Sequence, residues 1–81
     1  MNLYLLTQTE NVGYDTYDAA IVCAESEEEA VKIHPDGEIF NDGWTWGLSW
    51  VMYPRDVKCQ KIGVADKSIE KGVVLASFNA G

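Results

Sequence analysis

The chain has 81 residues, 47% of them hydrophobic and 23% charged, a balance that separates it from disordered polymers and allows one small domain with a single core. Thirteen acids against six bases give a formal net charge of −7, which argues against direct binding to DNA, RNA or an anionic membrane surface. The charge is uneven: residues 1–52 hold ten acids and one base, Lys32, whereas residues 53–81 hold three acids and five bases, a polarity able to orient the protein towards a basic partner.

Met1-Asn2-Leu3-Tyr4-Leu5-Leu6 lacks a basic leader, and its apolar run is too short for a signal peptide or a membrane span, so a cytoplasmic location is expected. Asn2 to Gln8 reads as a strand. Leu3 and Leu5 alternate with Tyr4 and Leu6, so it is apolar on both faces, as interior strands are. Glu10 to Asp15 has loop composition, and Tyr17 to Ala24 continues as a second strand with Ala19, Ile21 and Cys23 on one face, completing a hairpin.

Ser26 opens a Ser-x-x-Glu capping box with Glu29, and Pro35 bars helix beyond His34, which predicts one short helix over Glu27 to Ile33. Glu27, Glu28 and Glu29 fall in its first turn, where each carboxylate gains about 0.3–1 kcal/mol from the helix dipole, so the acidic run is explained without a partner. Pro35-Asp36-Gly37 and Asn41-Asp42-Gly43 are turn signals around Ile39-Phe40. Beyond them the even positions Trp44, Trp46, Leu48, Trp50 and Met52 are large and apolar, while Thr45, Gly47 and Ser49 are small or polar. That is strand periodicity; Gly43 and Gly47 weaken it and leave an ordered loop as the alternative. Pro54 ends the segment.

Val57 to Val64 predicts a strand of mixed character, with Lys58 and Lys61 suited to an exposed sheet edge. Gly63 to Gly72 makes the return, with a helical turn at Ser68 to Lys71. Val73 to Phe78 is the last strand, apolar on both faces like the first, and the two are expected side by side at the sheet centre. The expected fold is α+β: ββαββ, a small four-stranded, mainly antiparallel sheet in the order 2-1-4-3, with one short helix on one face.

Three tryptophans within seven positions, Trp44, Trp46 and Trp50, beside Tyr53 and Arg55, are the chain's most concentrated feature. Indole offers large contact area with little freedom to lose, so the cluster is a candidate protein-binding hot spot or base-stacking surface, with closure of the sheet's open face as the competing reading. Gly13-Tyr14-Asp15-Thr16-Tyr17-Asp18 sets two phenols and two carboxylates at a hairpin tip. Tyr14, Asp15 and Tyr17 are a second candidate contact surface, unless they simply make the turn and cover the sheet edge. His34, the single histidine, precedes Pro35 at a helix end with no nucleophile motif nearby, which favours a helix-terminal role. Cys23 and Cys59 lie 36 positions apart without metal or redox spacing and read as buried free thiols. Phosphate-loop and dinucleotide motifs are absent, so no enzyme, cofactor or metal is expected. Ser77-Phe78-Asn79-Ala80-Gly81 completes the last strand or extends a subunit contact.

The stretches Leu5-Leu6-Thr7-Gln8, Gly13 to Asp18, Ala24-Glu25-Ser26-Glu27-Glu28-Glu29-Ala30, Ile33-His34-Pro35 and Val74 to Gly81 resemble a family of small uncharacterised proteins of phage and prophage genomes. They span roughly half the chain. The resemblance implies a phage-encoded accessory protein acting in the host cytoplasm and brings no functional residues with it. With the residues above, it leads to a non-enzymatic protein that binds and inhibits a host protein or defence complex through an aromatic and acidic surface. The alternative is a homo-oligomeric sponge that sequesters a nucleotide signal between Trp or Tyr rings and Arg55.

Overall fold

The computed structural model describes residues 1–80. Strand β1 spans Asn2–Thr7, β2 Thr16–Ala24, β3 Lys58–Val64 and β4 Gly72–Asn79, with two four-residue helices, α1 (Glu27–Ala30) and α2 (Gly43–Trp46), and a 3-10 turn at Pro54–Asp56. The strands form one antiparallel sheet in the order β3-β1-β2-β4. The α+β class, the four-stranded antiparallel sheet and the β1–β2 hairpin agree with expectation. The neighbours of the last strand do not. β4 pairs with β2 at the sheet edge rather than with β1 at the centre, the position that its two apolar faces suggest. β3 is the other edge, and Lys58 and Lys61 stand exposed on it.

One sheet face is covered. Tyr4 and Leu6 of β1 and Ala20, Val22 and Ala24 of β2 pack with Val57 against Ala30, Ile33, Trp46, Trp50 and Val51. Residues paired across β1 and β2 share a face, so Leu3, Leu5, Ala19 and Ile21 line the opposite one. The segment after β3 covers that face only at one end, where Cys23 is fully buried with its thiol 3.9 Å from the Ile69 carbonyl oxygen. Cys59, the other free thiol, is only half-buried.

Ser26 caps α1, its Oγ accepting from the Glu29 amide at 3.2 Å. The Glu29 carboxylate reaches across to pair with Lys71, tying the helix to the approach of β4. Regular α-helix ends at Ala30, and the chain tightens into a turn through Ile33, with i→i−3 bonds from Lys32 and Ile33. Instead of the helical turn expected at Ser68 to Lys71, the loop turns at Asp66, whose Oδ1 accepts from the Ser68 amide and hydroxyl at 2.9 and 2.8 Å. No helix among the described residues is long and apolar enough to cross a membrane.

The largest departure lies in the tryptophan run, which is helical rather than extended. Asp42 is the N-cap, its Oδ1 accepting from Thr45 N–H at 2.8 Å, and helical bonds continue past α2 to Trp50 N–H→Trp46 O at 3.0 Å. Gly43, the first residue of α2, packs directly on the chain beyond the helix: a Cβ there would stand 2.9 Å from the Met52 carbonyl oxygen and 3.0 Å from the Tyr53 ring. At Gly47 the nearest obstacle is the flexible Met52 side chain. Gly43→Ala is therefore expected to lower unfolding free energy by about 1–3 kcal/mol and Gly47→Ala by clearly less. Urea denaturation of the two variants checks this, and equal losses would refute the backbone contact as the cause.

Candidate binding surface

Helical geometry sorts the aromatic run onto two sides. Trp46 and Trp50, one turn apart, point into the core and are 2% and 0% exposed. Trp44 and Leu48, also one turn apart, point outward, with Trp44 78% exposed. Two of the three indoles proposed for binding are thus structural, because the spacing that alternates in a strand also makes i,i+4 pairs in a helix.

His34 sits between the inward rings. It is 2% exposed and meets Trp46, Trp50 and Tyr17 edge-on, with ring centroids 5.5, 6.4 and 5.7 Å away. Its Nε2 lies 3.2 Å from Ser49 Oγ. Its Nδ1 lies 3.0 Å from both the amide nitrogen and Oδ1 of Asp36, so it accepts from the amide when unprotonated and donates to the carboxylate when protonated. Burial is the strongest influence and holds the imidazole below its ordinary pKa, against the pull of Asp36. His34 is a buried brace for α2 rather than a helix-end charge.

A second brace escaped sequence reasoning. Gln8, buried at the end of β1, accepts through Oε1 from the Glu10 and Asn11 amides, both at 2.8 Å, and donates through Nε2 to the carbonyls of Asn11 and Tyr17 at 2.7 and 3.0 Å. Asn11 Nδ2 then donates to the carbonyls of Gly47 and Trp50 at 2.9 and 3.0 Å. The β1–β2 loop is thereby clipped to the segment that carries the tryptophans. The available signal was a polar residue closing an apolar strand, which loop composition alone conceals.

On this support stands an exposed ridge. Trp44, Leu48 and Met52 flank a shallow groove floored by Gly43 and Gly47. Met52 also borders a neighbouring depression with Tyr53, Arg55, Asp56, Glu10 and Asn11. The Arg55 guanidinium lies 4.4 Å from the centre of the Tyr53 ring, a cation–π contact between two exposed side chains. Trp44, Tyr53 and Arg55 are thus gathered on one surface, joined by Leu48 and Met52. Tyr14 and Asp15 are exposed on the β1–β2 loop but line neither depression; Asp15 has a left-handed backbone with φ 60°. Tyr17 turns inward instead, its ring 4.8 Å from that of Phe78. Burial, with Glu27 nearby, pushes the Cys59 thiol up to about 11, so it is protonated at neutral pH and a poor nucleophile.

No match to the chain emerges from comparison with protein families, curated proteins or solved structures. What fold and geometry define is a small α+β platform carrying an exposed aromatic ridge.

Because burial lowers the His34 pKa on folding, the unfolded chain binds the extra proton first. This part of stability is complete above about pH 6.5 and is lost as pH falls from there to the lower folded value. Urea unfolding between pH 7 and 5 should show that loss, with a shallower dependence in His34→Gln. Identical pH slopes in the two proteins would remove His34 as the cause.

Proposed function

We propose that the protein is a non-enzymatic binding module that docks onto another protein through Trp44, Leu48, Met52, Tyr53 and Arg55. In the setting implied by its phage-like motifs, it acts as an inhibitor of a host protein or defence complex. The observation that carries this reading is Trp44, an indole exposed at the tip of a braced helix rather than packed in the core. Exposed Trp, Tyr and Arg beside a groove are the residues that dominate protein interfaces, and fixing them beforehand lowers the entropy lost on docking.

The acids around the ridge support a basic partner. Asp42 and Asp56 flank it, and Glu10 borders the Tyr53 depression. Charges at such a rim chiefly raise the association rate and fix orientation, so complex formation should slow as salt rises. Protein docking is better supported than a nucleotide sponge, because Trp46 and Trp50, two rings such a cage would use, are committed to the core.

Trp44→Ala is expected to fold like the wild type and to weaken binding to the purified host partner by about 2 kcal/mol, near thirtyfold. The partner is first captured from host lysate with immobilised wild type and then titrated calorimetrically with both proteins. Equal affinity for the two, or no protein retained by the wild type, would refute the ridge as the docking surface.

A further inference from the structure

The two edges of the sheet are built differently. β3, Lys-Cys-Gln-Lys-Ile-Gly-Val, carries two lysines, charges that discourage pairing with another strand, while each edge strand has one register irregularity, at Ile62 in β3 and at Val74 in β4. β4, Gly-Val-Val-Leu-Ala-Ser-Phe-Asn, has eight residues, no charge and no proline. Val74, Leu75 and Phe78 are exposed along it, Leu75 by 65%. Apolarity on both faces is the composition of an interior strand, yet β4 lies at an edge.

The outward side of β4 offers backbone hydrogen-bonding groups. Tyr17, its neighbour in β2, donates its N–H to the Ser49 carbonyl at 2.8 Å and accepts at its own carbonyl from Gln8 Nε2 at 3.0 Å, both away from β4. A residue oriented so belongs to a non-hydrogen-bonded antiparallel pair, and its partner's polar groups point away as well. The amide and carbonyl of Phe78 therefore face the free edge, and strand alternation turns those of Ala76 the same way.

We infer that β4 pairs antiparallel with β4 of a second copy of this chain, joining two four-stranded sheets into one continuous sheet. Charge favours this occupant. Although each chain carries −7 overall, β4 is an uncharged run, so pairing it with itself sets no like charges opposite each other across the ladder. Register supports it too. A two-fold axis at Ala76 sets Ala76 opposite itself and Leu75 opposite Ser77 of the partner copy, all within the regular stretch from Leu75 to Phe78 and with no charged groups facing each other. The shallow apolar depression formed by Leu5, Ala19, Ile21, Leu75 and Ser77 then continues across the axis.

Sedimentation equilibrium together with amide hydrogen exchange tests this. Wild type is expected to be dimeric by about 100 μM, in the ordinary range of modest interfaces, with the Ala76 and Phe78 amides protected in proportion to dimer. The double variant Leu75→Lys/Ser77→Lys sets lysines opposite each other in this register and should weaken dimerisation about tenfold or more while keeping the wild-type tryptophan emission. Lys58→Ala, on the other edge, should leave the dimer unchanged. A wild type monomeric at that concentration, a dimer whose Ala76 and Phe78 amides exchange freely, or a dimer lost in Lys58→Ala would overturn the inference. Should the double variant misfold, the exchange pattern of the wild type still decides.

Discussion

The structure depends on two indoles, Trp46 and Trp50, set against the β1 and β2 side chains of the covered sheet face. Burying 150–250 Å² of apolar ring contributes about 4–6 kcal/mol for each, comparable with the whole net stability of a domain this small. Neither indole N–H has a hydrogen-bond partner among the described residues, at a cost of about 1–3 kcal/mol each. Burial still exceeds that cost. The surrounding groups serve the same packing: His34 sits edge-on to both rings, and Asn11 takes up the carbonyls of Gly47 and Trp50. The outward ridge is a consequence, because a helix that must present Trp46 and Trp50 to the core presents Trp44 and Leu48 to solvent.

Much of the fold is legible in the sequence because local signals agree with one another. Alternation in β1 and β2, loop composition between them, and Ser26 ahead of a short helix all point to the same antiparallel hairpin and its cover. The segment from Trp44 to Met52 misleads because its signals conflict. Every second residue is large, which fits a strand, but Trp46 and Trp50, like Trp44 and Leu48, also stand four apart. Asp42 decides between the readings. Its carboxylate satisfies the Thr45 amide at the start of a helix, and Gly43 permits the close approach that turns the chain there. Trp44, Tyr53 and Arg55 can be named from sequence as a candidate surface. That only one indole of three faces outward cannot, since alternation assigns all three to one side.

The last strand departs from expectation for a different reason. By composition β4 belongs at the sheet centre, because it carries neither charge nor proline, while the lysines of β3 mark an edge. Both judgements rest on the same rule of sheet protection, and only β4 departs from it. Within one chain the departure is an anomaly. In the paired sheet we infer, β4 lies between β2 and its own symmetry mate, and its composition suits its position.

Ridge and edge do not compete for space. The ridge stands above the covered face, on the far side of Trp46, whereas β4 offers backbone groups in the plane of the sheet. Antiparallel pairing of identical edges uses a two-fold axis perpendicular to the sheet, which leaves the covered faces of both copies on the same side. Two aromatic ridges would then be displayed in one direction. Such an assembly would meet a repetitive or dimeric target by two contacts, the second formed at the high effective concentration that the first creates. Weak self-pairing and a modest single docking site would together give tight, concentration-dependent binding without enlarging either surface.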